Sequence, residues 1–201
     1  MAFTSFSLEK IREDFAVSLQ IAPLFLGAKP LAATPWLEQT LLLTKALAFQ
    51  SGSEKARSEF IIAPILASLV QEQRRFSIFS GQTFEVEPEL GLTGECDFLL
   101  SLHPDSPIIE APVFALVEAK KQDIEGGLGQ CAAQMIAAQR FNRRHNLESV
   151  VYGCVTSGET WQFLKLESNS LLIDQNRYYL DRLETLLGVL SAIIESVMPA
   201  S

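Results

Sequence analysis

The sequence predicts an α/β domain, a mixed central sheet flanked by helices, with a helical N-terminal segment. Three observations predict it. The first 75 residues carry apolar positions at helical spacing. From about residue 83 the pattern changes to short strand-like runs, one of them apolar at every position. A helical pattern then returns twice, once between strands and once at the end. The 201 residues suit one domain spanning 1–201 with a substantial core, and 48% hydrophobic against 20% charged residues reads as globular and not disordered.

Taken in order, Leu8, Ile11, Phe15 and Leu19 recur at helical spacing and give one amphipathic segment. Thr34-Pro35 reads as an N-cap followed by proline at the first helical position, opening a helix through Trp36, Leu41 and Leu47. Residues 1–50 are therefore expected to be a helical segment packed on the rest. Ser51-Gly-Ser-Glu54 matches a capping box with Ser51 as cap, and its helix is expected to run to about Arg75, bent near Pro64. Thr83–Val86 and Cys96–Leu102 suit strands joined by a turn holding Pro88, Gly91 and Gly94. Pro112–Val117 is a continuous apolar run, as for a strand covered on both faces. Gly126, Gly127 and Gly129 lead into a helix over Leu128–Phe141. Ser149–Val155 and Thr160–Leu166 form a hairpin around Ser157-Gly158, Leu171–Ile173 is a short strand, and an amphipathic helix spans 180–197.

The stretch Phe114-Ala-Leu-Val-Glu118-Ala-Lys120-Lys121 carries the chemistry. Alternate residues of a strand share a face, so Glu118 and Lys120 point the same way, roughly 7 Å apart. Charged groups ending a buried strand are costly unless paired, metal-bound or wet. Asp97, in Gly94-Glu95-Cys96-Asp97-Phe98, starts the preceding strand and can meet Glu118 across an antiparallel ladder. Two carboxylates so placed repel unless a divalent cation lies between them. Glu95 shares a face with Asp97 by the same alternation and competes for its role.

A helix bearing Glu, a strand bearing Asp, a strand bearing ExK and a helix bearing Gln together resemble the PD-(D/E)xK nucleases. The nearest likeness is to the nuclease domains at the N-termini of type I restriction subunits and their small stand-alone relatives. The matching residues are Glu59 in Ala56-Arg-Ser-Glu59-Phe-Ile-Ile-Ala-Pro-Ile-Leu66, Asp97, Glu118-Ala119-Lys120, and Gln130 with Gln134, over roughly residues 54–166. The proline that names the family is absent ahead of Asp97. The resemblance implies a restriction endonuclease-like sheet and a metal-dependent nuclease hydrolysing phosphodiester bonds, in DNA sooner than RNA. It implies Mg²⁺ or Mn²⁺ held by Asp97, Glu118 and the Ala119 carbonyl, with Lys120 orienting water or stabilising charge on phosphorus. Glu59 would bind a second metal through water or position Lys120, and Gln130 and Gln134 would contact the phosphate backbone or the metal's water shell. The alternative is a catalytically silent module of the same fold within a restriction or defence complex.

Net charge of −8 and a pI near 4.8 count against a protein that simply coats nucleic acid. Lys55, Lys121, Arg140, Arg143 and Arg144 are the candidate phosphate contacts, and a partner subunit could supply the basic groove, while cutting two strands needs two sites and so suits a homodimer. Cys96, Cys131 and Cys154 lack CxxC spacing and read as free, buried thiols of a reducing cytoplasm. The start MAFTSFSLEKIRED lacks the pattern of a signal peptide, and the longest apolar stretches are too short to span a bilayer. The expectation is a cytoplasmic protein with no membrane partner. Gly127-Leu-Gly129-Gln-Cys-Ala132 imitates a dinucleotide fingerprint, but a charged stretch separates it from its strand. His103 and His145 form no ligand pair, Trp161 and Phe163 alternate as core residues, and no Gly-x-Ser-x-Gly elbow supports a hydrolase triad.

Overall fold

The computed structural model describes residues 1–198. Its centre is a seven-stranded mixed sheet in the order β1-β7-β6-β5-β4-β3-β2. The strands are β1 (Ser18–Ala22), β2 (Ser77–Glu87), β3 (Leu92–Ser101), β4 (Val113–Ala119), β5 (Val151–Thr156), β6 (Thr160–Glu167) and β7 (Ser170–Tyr179). The β4–β5 and β1–β7 pairs are parallel, and the other four are antiparallel. All seven residues of β4 are buried, as its unbroken apolar run predicts for a strand covered on both faces.

Two helical layers do the covering. On one face lie α2 (Pro35–Ser51), the helix formed by α3 (Glu54–Arg57), a π-turn (Ser58–Ile62) and α4 (Ala63–Gln73), and α6 (Leu183–Val197). Leu37, Ile61, Leu66 and Leu190 pack there with Phe98, Val117, Trp161 and Phe163. On the other face α1 (Leu8–Phe15) and α5 (Ile124–Arg144) bury Ile11, Cys131, Ala132 and Met135 against Leu99, Leu116 and Leu164. No helix is long and apolar enough to cross a membrane, among the described residues.

Proline and a single hydroxyl explain the π-turn. Pro64 has no N–H to donate to the carbonyl of Phe60 one turn back, which opens the helical ladder. That carbonyl accepts instead from the Thr44 hydroxyl of α2 at 2.6 Å. A sequence signal for a break thereby becomes an inter-helix bond.

Three expectations change. The first 75 residues are not all helical: α1 ends where Ala16 takes a left-handed conformation (φ 51°), and Leu19 belongs to β1, which pairs with β7. Leu19 sits at helical spacing from Phe15, so the pattern imitated one more turn. The cap of α3 is Ser53, whose hydroxyl accepts from Ala56 N–H, while Ser51 closes α2 and Glu54 turns toward Lys121. The last strand runs to Tyr179, well beyond Ile173, because backbone pairing with β6 continues through polar residues.

Candidate functional site

The site lies where β3 and β4 part. Their pairing reaches Phe98↔Val117, and beyond it the Asp97 side chain crosses the gap, its Oδ2 accepting from Ala119 N–H at 2.7 Å. Asp97 thus reaches β4 between Glu118 and Lys120. Among the described residues no donor reaches its Oδ1. Burial holds the Asp97 carboxyl above its ordinary pKa, the Ala119 N–H and Lys120 pull it back, and Glu54 and Glu95 add to the rise.

Glu118 is 3% exposed and turns toward α5. Its Oε1 accepts from Lys120 Nζ at 2.8 Å and its Oε2 from Gln134 Nε2 at 2.8 Å. Burial, and next the like charge of Asp97, raise its pKa to about 7 despite those donors. Lys120 Nζ also donates to Gln130 Oε1 at 3.1 Å. Burial works to lower the Lys120 pKa, but the bond to Glu118 and the charges of Glu118, Glu54 and Asp97 raise it overall, so the ammonium stays charged. Gln130 and Gln134, four apart on α5, face the site together as their spacing predicts. The Gln134 Oε1 is buried without a partner.

Two glycines make this approach possible. A Cβ on Gly127 would stand 2.6 Å from Val155 Cγ1 and 3.1 Å from Lys120 Cγ, so only glycine lets the first turn of α5 lie on the Lys120 stem. A Cβ on Gly129 would stand 2.3 Å from the Phe6 carbonyl oxygen. The glycine cluster therefore serves close packing, within the helix and not as a lead into it. Behind Glu118, the Cys96 and Cys131 thiols are free and buried; burial first, then the Glu118 charge, drives both far above the ordinary thiol range. They are neutral wall groups.

An open cleft of about 370 Å³ borders Asp97, with Glu54, Glu59 and Glu95 on its walls and Lys55 as the cation among its lining residues. Glu118 and Lys120 do not line it; they sit toward α5, where Lys120, its side chain 21% exposed, keeps a path to solvent. Glu95 is exposed and opposite Thr83, on the cleft wall, and makes no bond to β4; Asp97 does. Glu59, 55% exposed at its side chain, pairs with Lys55 at 3.8 Å and does not touch Lys120. The carboxylate that α3 brings to the Lys120 segment is Glu54, whose Oε1 accepts from Lys121 N–H at 3.1 Å. Sequence reasoning assigned Glu54 to a capping box on Ser51, whereas the cap is Ser53, two residues on.

The candidate phosphate contacts are mostly engaged elsewhere. Arg140 and Arg144 both bind Glu87, and Arg143 pairs with Glu148. Lys55 lines the cleft, and Lys121, bonded through its backbone to Glu54, is exposed. The histidines are apart, His103 bonded to the Ala111 carbonyl and His145 at the end of α5.

Among the described residues no three His, Cys, Asp or Glu side chains form a ready-made metal cage. The donors at the strand ends are two carboxylates and, on the edge of β4 that its N–H shares, the Ala119 carbonyl. Hard oxygen donors in that number fit Mg²⁺ or Mn²⁺, which keep several waters and take one or two protein carboxylates. The open Oδ1 of Asp97 and the strained ionisation of Glu118 are what a cation between them would relieve. Comparison with models of known protein families, with curated proteins and with solved structures finds no match to this chain.

Proposed function

We propose that this chain is a metal-dependent phosphodiesterase of the PD-(D/E)xK nuclease type, acting on DNA in preference to RNA. The observation that carries the reading is the Asp97 carboxylate tied to the Ala119 amide, between a buried Glu118 and a charged Lys120. Asp97, Glu118 and the Ala119 carbonyl would hold Mg²⁺ or Mn²⁺. When bound, such an ion supplies Lewis-acid polarisation of a phosphoryl oxygen and acidifies water. Lys120 places a fixed positive charge where negative charge builds on the phosphate, in a secluded site that needs no reorganisation. Gln130 and Glu118 hold that ammonium in place, and Gln134 orients Glu118. Glu59 faces the cleft, where it can meet the water shell of a bound substrate or ion.

One observation favours a second reading, a catalytically silent module of this fold inside a larger assembly. The cleft is acid-lined, and two arginines of α5 are neutralised by Glu87, so a partner subunit or second copy would have to bring basic surface. A cytoplasmic setting goes with either reading, since three free thiols suit a reducing compartment.

The test is cleavage of plasmid and oligonucleotide with Mg²⁺ or Mn²⁺ by wild type, Asp97→Ala and Lys120→Ala. Cutting by wild type that both variants lose by about a hundredfold or more is the expected result. Uncut DNA and RNA with both metals, across low and high salt, would sink the nuclease reading. If Mn²⁺ then also leaves the melting temperature of wild type unchanged, the silent module stands.

A further inference from the structure

Three consecutive backbone amides past the core of β4 are each held by a different element. Ala119 N–H donates to Asp97 on β3, Lys120 N–H to the Thr156 carbonyl on β5 at 2.8 Å, and Lys121 N–H to Glu54 on α3. One turn on from Glu54 stands Arg57, 7% exposed. Its Nη1 donates to the carbonyl of Ser157 at 2.7 Å, next to Thr156, and its guanidinium lies 5.0 Å from the centre of the Phe49 ring. A single turn of α3 therefore grips the Lys120 segment at one end and the β5–β6 turn at the other.

Arg57 is incompletely paired. Its Nε is buried with no acceptor, and the carboxylate nearest its Nη1, Glu159 at 3.6 Å, is more than half exposed. A buried donor without a partner is a net cost, so Arg57 contributes less to stability than a fully paired arginine would. What Arg57 does achieve is geometric. With Glu54 it closes a ring of bonds through Lys121, Lys120, Thr156 and Ser157.

We propose that Glu54 and Arg57 are a positioning pair: they fix the course of residues 119–121 against the β5–β6 turn and so aim the Lys120 ammonium. The role assigned to that aim rests on the phosphodiesterase reading; the bracing itself does not. Glu54 acts here as a hydrogen-bond acceptor, which a glutamine oxygen can also be, whereas a role through its charge would not survive that exchange.

The test uses the full chain, metal-free, as wild type, Arg57→Met, Glu54→Ala and Glu54→Gln. Amide hydrogen exchange of residues 119–121 and thermal unfolding are read together. Arg57→Met and Glu54→Ala are expected to speed that exchange about tenfold, with melting temperatures lowered by no more than about 8 °C. Glu54→Gln is expected to exchange like wild type. With Mn²⁺ and plasmid DNA, Arg57→Met should lower kcat about tenfold or more with KM unchanged, the mark of a misaimed group and not of lost binding. Exchange unaltered in both Arg57→Met and Glu54→Ala would overturn the pair, as would Glu54→Gln behaving like Glu54→Ala. If Arg57→Met does not fold, the two Glu54 variants decide. A wild type that cuts nothing removes the phosphodiesterase reading and leaves the exchange result to judge the bracing; a wild type that cuts, with unaltered exchange, removes the bracing alone.

Discussion

Replacing Glu118 by glutamine should make the metal-free protein more stable above neutral pH. In the fold the Glu118 carboxyl is raised from an ordinary 4.5 to about 7 by burial and by Asp97. Its protonated form is therefore the favoured one, and its contribution to stability is complete below about pH 4.5. That contribution declines as pH rises and is gone above 7, where both folded and unfolded chains are ionised. The separation of the two values corresponds to about 3 kcal/mol. Glutamine has the shape of the protonated acid and does not titrate. It can also accept from Lys120 while donating to Gln134, whose amide needs only to turn over, since its Oε1 has no partner. Urea and thermal unfolding in EDTA between pH 4.5 and 8.5 give the measurement. The variant should overtake wild type as pH rises, by about 3 kcal/mol at pH 8, or roughly 6–12 °C in a domain of this size. Stability curves that run parallel for the two proteins across that range would refute the placement of an ionised carboxylate in a buried, like-charged setting.

Other substitutions test neighbouring parts of the fold. Gln134→Leu removes a donor that lowers the Glu118 pKa, so the stability decline of that variant should be centred above that of wild type, by the same pH titration of unfolding. Gly129→Ala would drive a Cβ into the Phe6 carbonyl and should cost about 1–3 kcal/mol by urea unfolding; a neutral result would mean the N-terminal segment does not pack on α5 this closely. Thr44→Val leaves the Phe60 carbonyl without its donor and should cost about 1–2 kcal/mol, while a twin Pro64→Ala change, which returns a backbone donor, should recover part of it.

The central strand and the α5 face of the site were legible because their signals are local. An unbroken apolar run ended by Glu118-Ala-Lys120 could only be a buried strand with charged residues at its end, and Gln130 and Gln134 share a helical face at any placement of α5. What was not legible depends on long-range partners. β1 is five residues long and half solvated, so it has no pattern of its own and exists because β7 has a free edge. Glu59 and Glu54 lie on the same stretch of helix, and which of them meets β4 is set by the π-turn and by Ser53 as cap. Arg140 and Arg144 read as free cations near a helix end; only the fold brings Glu87, more than fifty residues earlier, between them. The buried course of Arg57 has no sequence signal at all, since arginine on a helix is solvated in most settings.

The pairing of β1 with β7 has a consequence for how the chain comes into being. Ser18 lies against Ser170, so a strand made early must wait for about 150 further residues before its neighbour exists. At ordinary translation speeds that interval is roughly 10–30 s. Throughout it Leu19 can neither join the sheet nor find its half-buried place there. On the ribosome this edge can close only after β7 has been made, so it is among the last parts of the sheet to form.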